Sequence, residues 1–114
     1  MRFKAPRNNE RFFWTNHATG KMMFYGLSEQ RVKRVILNPS RIEEGIAPET
    51  IACMQVAGSK KHRQEIWVMY QTTKSKPGTK ASKIKIISTW RYPGKSPAKN
   101  PIPREILDEI KDLI

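Results

Sequence analysis

The chain has 114 residues and a formal net charge of +12, with 22 Lys and Arg, 10 Asp and Glu, two His and one Cys. That length suits one domain around a modest core. No apolar run is long enough to span a membrane, Met1-Arg2-Phe3-Lys4 does not open a signal peptide, and the lone Cys53 allows neither an intrachain disulfide nor a thiolate metal site. A cytoplasmic protein with no membrane contact, metal or other cofactor is the expectation.

In chain order, Thr15 or Asn16 can cap a short helix that runs to about Tyr25, where Gly26 ends it in a left-handed turn. Ser28 then caps a second helix from Glu29 to Leu37, stopped by Asn38-Pro39. Val32, Val35 and Ile36 share its apolar face, flanked by Arg31 and Arg34 with Asn38 near them. Three strands follow, Thr50–Ala57 with Gln55 as its polar break, Gln64–Thr72, and Lys83–Trp90. In the last of these, alternation puts Lys83 and Lys85 on one face and Ile84 and Ile86 on the other. Gly58–Arg63 reads as a hairpin loop, and the Lys/Ser/Gly/Pro-rich Thr73–Ser82 stretch as a mobile connection. A final helix from Pro103 carries the apolar stripe Ile106, Leu107, Ile110 and Ile114, expected to pack back on the body. The order implies an α+β domain over 1–114, with two N-terminal helices, an antiparallel sheet of three to four strands and a C-terminal helix. It divides into a basic body (1–92), a Pro-rich connection (93–102) and an acidic helix (103–114).

Charge is unevenly placed along this frame. Residues 1–100 carry a balance of +14 and residues 101–114 one of −2. Positions 66 to 104 hold nine cations and no acid. Ordinary surfaces intersperse both signs, because like charges held close repel. An acid-free stretch with Trp67, Tyr70, Trp90 and Tyr92 set into it is better explained by a polyanion, nucleic acid first, since each neutralised phosphate releases counterions. The binding candidates are Arg31, Arg34, Lys74, Lys76, Lys80, Lys83 and Lys85, with Tyr92 available to stack on a base.

Fewer residues could carry chemistry. His17, Lys21 and Tyr25 recur at i, i+4 and i+8 and so share a helix face. A neighbouring ammonium favours the neutral imidazole, which suits a general base near neutral pH. His17, Lys21 and Arg91 could divide the roles of base, acid and phosphorane stabiliser in metal-independent RNA cleavage, if the last strand lies near the first helix. The plainer reading of His17 is a hydrogen bond near a helix start. His62 in Lys60-Lys61-His62-Arg63 makes no recognisable metal site, and no Gly-rich phosphate loop, paired-carboxylate site or Ser/His/Asp set is recognisable.

The segment from Trp14 to Pro39, through His17-Ala18, Met22, Gly26-Leu27-Ser28 and Leu37-x-Pro39, resembles a widespread bacterial domain of unknown function. Its pattern runs His-Ala-x-x-Arg-Met, Gly-Ile-Ser, Val-Leu-x-x-Pro. Lys21 stands where that family has Arg, which loses bidentate phosphate geometry. More distantly, Phe12-x-Trp14, Gly26-Leu27-Ser28, Asn38-Pro39 and Ile84-Lys85-Ile86-Ile87-Ser88 resemble BrnT-type toxins. The resemblance covers about two thirds of the chain. It implies a RelE-like fold, a small ribonuclease acting on mRNA, in some cases ribosome-associated, and an antitoxin protein as partner. Two departures bear on activity. Trp90 follows Ser88-Thr89 where those toxins have a basic residue, with Arg91 one place later, and their Arg-rich final helix is replaced by an acidic one. The rival expectations are a non-catalytic nucleic-acid-binding module and an interaction domain for an acidic protein.

Overall fold

Thr15 and Ser28 each start a helix in the same way, their side-chain oxygens accepting the backbone N–H of Ala18 and Arg31 at 3.0 and 3.1 Å. In this computed structural model, which describes residues 3–45, 49–73 and 83–111, these caps open α1 (Asn16–Tyr25) and α2 (Glu29–Leu37). Gly26 ends α1 at φ 66°, a left-handed value that glycine adopts without strain, and Leu27 N–H closes the turn on the Met22 carbonyl at 2.8 Å. The remaining elements are β1 (Phe12–Trp14), β2 (Arg41–Glu44), β3 (Thr50–Gly58), β4 (Arg63–Thr73), β5 (Lys83–Pro93) and α3 (Arg104–Ile110). Gly58, at φ 81°, could not carry a Cβ, which would lie 2.2 Å from the His62 carbonyl oxygen. The β3–β4 hairpin therefore turns where the sequence placed it.

The sheet corrects the expectation of three to four antiparallel strands. Five strands stand in the order β1-β5-β4-β3-β2, with β1 parallel to β5 and every other pair antiparallel. Both additional strands are edges too short to show a period. β2 also inverts the usual pattern: Ile42 is 63% exposed while Arg41 and Glu43 turn partly inward. A charged, short edge strand resists pairing with other chains. At the other edge, β1 covers the first part of β5, and Thr15 Oγ1 then donates to the Ile86 and Ile87 carbonyls as α1 begins alongside β5.

Two cores flank the sheet. Ala18 and Met22 of α1 and Val32 and Val35 of α2 pack with Cys53, Ile66, Val68 and Ile86. On the opposite side Met54, Trp67, Met69, Ile87 and Trp90 pack with Ile106 and Ile110 of α3, so the C-terminal helix docks on the body. Trp67 and Trp90 stack there with ring centroids 6.0 Å apart. The Pro-rich connection is tied down on this side: Trp90 Nε1 donates to the Pro101 carbonyl at 3.1 Å, and Ser96 Oγ to buried Glu65 at 2.6 Å. Among the described residues no helix is long and apolar enough to cross a membrane. The 74–82 connection and Ile114 lie outside the described residues.

Candidate nucleic-acid interface

Gln55, Ile66 and Arg91 stand opposite one another on β3, β4 and β5, and Ile66 belongs to the core under α1 and α2. Their shared register puts Gln55 and Arg91 on the helix-covered face, at its rim. Arg91 Nε donates to the Tyr25 carbonyl at the end of α1 at 2.8 Å, and its Nη1 to Gln64 Oε1 at 3.1 Å. Arg31 Nη1 donates to Gln55 Oε1. The Gln55 amide in turn donates to the Arg34 and Asn38 carbonyls at the end of α2, at 3.2 and 2.9 Å. Arg34 lies one turn beyond Arg31 on the same helix face.

Two guanidinium groups, those of Arg31 and Arg91, are thus held by neutral acceptors, and the exposed guanidinium of Arg34 stands beside Arg31. None has a carboxylate within ion-pair distance among the described residues. Burial, with the charges of Arg34 and Arg91, lowers the Arg31 pKa, though a guanidinium stays charged at any physiological pH. Their mutual repulsion is a standing cost that one bridging anion would remove. The planar fork of Arg, partly fixed here by amide and carbonyl partners, matches phosphate geometry.

A second cation group lies earlier on α1. Lys21 Nζ sits 2.9 Å from both carboxylate oxygens of Glu109 on α3, and His17 Nδ1 is 3.4 Å from Glu109 Oε2. His17 Nε2 is 2.8 Å from Ser88 Oγ on β5. Burial lowers the His17 pKa below its usual 6.5; Glu109 opposes that and Lys21 adds to it. The imidazole is therefore neutral at pH 7. Since Glu109 can only accept, Nδ1 carries the proton and Nε2 accepts from the Ser88 hydroxyl. Hydroxyl, imidazole and carboxylate then stand in the order used by serine hydrolases. Ser88, however, is 0% exposed and lines neither described cleft, so no substrate reaches its oxygen. The arrangement locks α3 to α1 and β5.

The structure brings His17 and Lys21 together and leaves Arg91 apart. Arg91 holds the carbonyl of Tyr25, eight residues along α1 from His17, a separation of about 12 Å at helical rise. Lys83 and Lys85 face away from α2, with Lys83 Nζ 5.8 Å from the Phe13 ring, and Lys85 lies about 20 Å along β5 from Arg91. Tyr92 packs against the second core. Lys74, Lys76 and Lys80 lie outside the described residues. Among the described residues no three His, Cys, Asp or Glu side chains gather as a metal site. One cleft, about 620 Å³, lies between β2 and the Pro-rich connection and is lined by Glu43 and Glu44, which repel the same ligands the arginines attract. Another, about 520 Å³, opens at the α1–α2 turn beside Phe3, Met23 and Leu27.

Gln55, Gln64, Ser88 and Glu109 escaped the sequence reading of the site. Gln55 and Ser88 did interrupt apolar runs, and a buried polar side chain must find a partner. Glu109 lay in the only net-negative segment. The chain matches no family model, no curated protein and no solved structure.

Proposed function

We propose that this chain binds nucleic acid, RNA in the first place, through the rim where α1, α2 and the ends of β4 and β5 meet. The observation that carries the reading is the convergence of Arg31, Arg34 and Arg91 without a carboxylate among the described residues. Every ion pair among the described residues serves another purpose: Glu29 holds Lys33 on α2, Glu43 and Glu65 hold Arg41 and Arg63, and Glu109 holds Lys21. The arginine rim is left for a ligand. The resemblance of the sequence to RelE/BrnT-like chains agrees with RNA as that ligand.

The test is binding of a generic single-stranded RNA across a salt series. Three arginine–phosphate contacts give log K against log salt a slope of about −2 on a single strand. Arg34→Ala lowers the affinity and makes the slope shallower. A flat response, or no binding at low salt, overturns the reading, and binding confined to an acidic protein would make the chain an interaction domain for an acidic partner such as an antitoxin instead.

A second reading, RNA cleavage, is favoured by one observation: a neutral, half-buried imidazole beside Lys21 where α1 meets α3. His17 would accept the 2′-hydroxyl proton at Nε2 once that atom leaves the Ser88 hydroxyl, and Lys21 would stabilise the developing phosphorane charge. Incubation of the pure protein with labelled RNA in EDTA, with mapping of the ends, tests it. His17→Ala cleaving at the wild-type rate would remove His17 from the mechanism.

A further inference from the structure

Asp108 and Glu109 stand at the C-terminal end of α3, where the helix dipole is negative and the last turn holds no basic residue before the Lys111 cap. A carboxylate in that position is disfavoured by its own helix. Glu109 is nevertheless held by three contacts from α1, two from the Lys21 ammonium at 2.9 Å and one from His17 Nδ1 at 3.4 Å. Its side chain is 41% exposed and that of Lys21 19%, so the pair lies at the surface and not in a core. Two oxygens fixed between an ammonium and an imidazole N–H are what the non-bridging oxygens of a phosphodiester would present to the same donors.

The surroundings extend the likeness. Phe24 is 76% exposed, its ring 5.5 Å from Lys21 Nζ and 4.8 Å from the Tyr25 ring. An exposed ring beside a cation is a stacking platform for a base. The next residue, Tyr25, supplies the carbonyl that holds Arg91. Lys21, Phe24 and Arg91 therefore succeed one another along α1, leading from the Glu109 contact to the arginine rim.

We propose that Lys21 and His17 form a second phosphate site, continuous with the arginine rim, and that Glu109 occupies it as an internal phosphate mimic. This rests on the nucleic-acid reading above. Nucleic acid and α3 then compete for Lys21, and the acidic helix sets the affinity of the full chain. Ile106 and Ile110 keep α3 docked while the Glu109 side chain alone is displaced.

The experiment compares the full-length wild type with Glu109→Gln, which keeps the size of the side chain and removes its charge. Glu44→Gln, on β2, removes the same charge elsewhere. Anisotropy of a fluorescein-labelled oligouridylate is followed across a salt series. Glu109→Gln is expected to bind several-fold tighter than Glu44→Gln, with a salt slope steeper by about 0.7 for the one added phosphate contact. Adding Lys21→Ala to Glu109→Gln should erase that gain. Equal behaviour of the two Gln variants, or a gain that survives Lys21→Ala, overturns the proposal while leaving the arginine rim standing. If no protein binds the oligonucleotide, the nucleic-acid reading falls, and inorganic phosphate titrated into Glu109→Gln decides the site alone. Shifts of the His17 and Lys21 resonances uphold it, and unchanged resonances overturn it.

Discussion

Arg91 Nε donates to the Tyr25 carbonyl at 2.8 Å across 66 residues of sequence, tying the last strand to the end of the first helix. A helix C-terminus leaves carbonyls without partners and favours a cation, so this bond stabilises the fold while holding a guanidinium at the rim. Arg91→Ala should therefore lower both stability, by about 1 kcal/mol, and RNA affinity. The exposed Arg34 side chain has no such partner among the described residues, and Arg34→Ala should weaken binding with stability unchanged to within about 0.5 kcal/mol. Urea unfolding beside RNA titration of the two variants separates the roles.

Glu65 is fully buried on the α3 side of the sheet, accepting hydrogen bonds from Ser96, Trp67 Nε1 and Arg63, with Arg41 Nη1 at 3.8 Å. Removing it leaves buried Trp67 Nε1 and Ser96 without their acceptor and loosens the Pro-rich connection, so Glu65→Ala should cost about 3 kcal/mol in urea unfolding. Burial would raise its pKa, but the hydrogen bonds from Ser96 and Trp67, with the Arg41 charge, outweigh burial and hold it below 4.5. A depressed folded pKa means stability present above 4.5 and lost as pH falls through the folded value. Between pH 5 and strongly acid solution the wild type should lose more stability than Glu65→Gln.

His17 gives an acid dependence of the same sign at higher pH. Its folded pKa lies below 6.5, set by burial against the pull of Glu109 on α3, with Lys21 on α1 lowering it further and Ser88 on β5 neutral. Between the folded value and 6.5 the unfolded chain binds more protons, so stability should rise with pH through that window and level off above it. The imidazole signal should titrate below 6.5 by NMR, and His17→Gln should flatten that part of the stability curve.

Cys53 sits in the core under α2, its Sγ 3.8 Å from the Val35 carbonyl and its pKa pushed up to about 12 by burial. The thiol should resist an aromatic disulfide reagent at pH 8 in the native chain and react at once in urea. Rapid native labelling would mean that this core opens readily.

Much of the fold was legible because its signals are local. Thr15, Gly26, Ser28 and Asn38-Pro39 mark helix ends by their own chemistry, and alternation set Ile84 and Ile86 inward on β5. β1 and β2 were hidden because three or four residues carry no period, and β2 turns its charged Arg41 and Glu43 partly inward. Ion pairs with high sequence separation were equally hidden. Nothing local indicates that Glu109 meets Lys21, or that Arg91 meets Tyr25 and not His17, since docking of α3 and the path of α1 along β5 decide both. The acid-free stretch from 66 to 104 was visible, but which cations converge depended on which face each strand residue took.

The most direct measurement is NMR titration of the isotope-labelled chain with a short single-stranded RNA, followed at the arginine Nε–Hε signals. The signals of Arg31, Arg34 and Arg91 should shift together along one binding curve, while those of Arg41 and Arg63, engaged by Glu43 and Glu65, stay in place. Movement of Arg41 and Arg63 instead, or no movement of the three rim arginines at saturating RNA, would contradict the assignment of the rim as the nucleic-acid site.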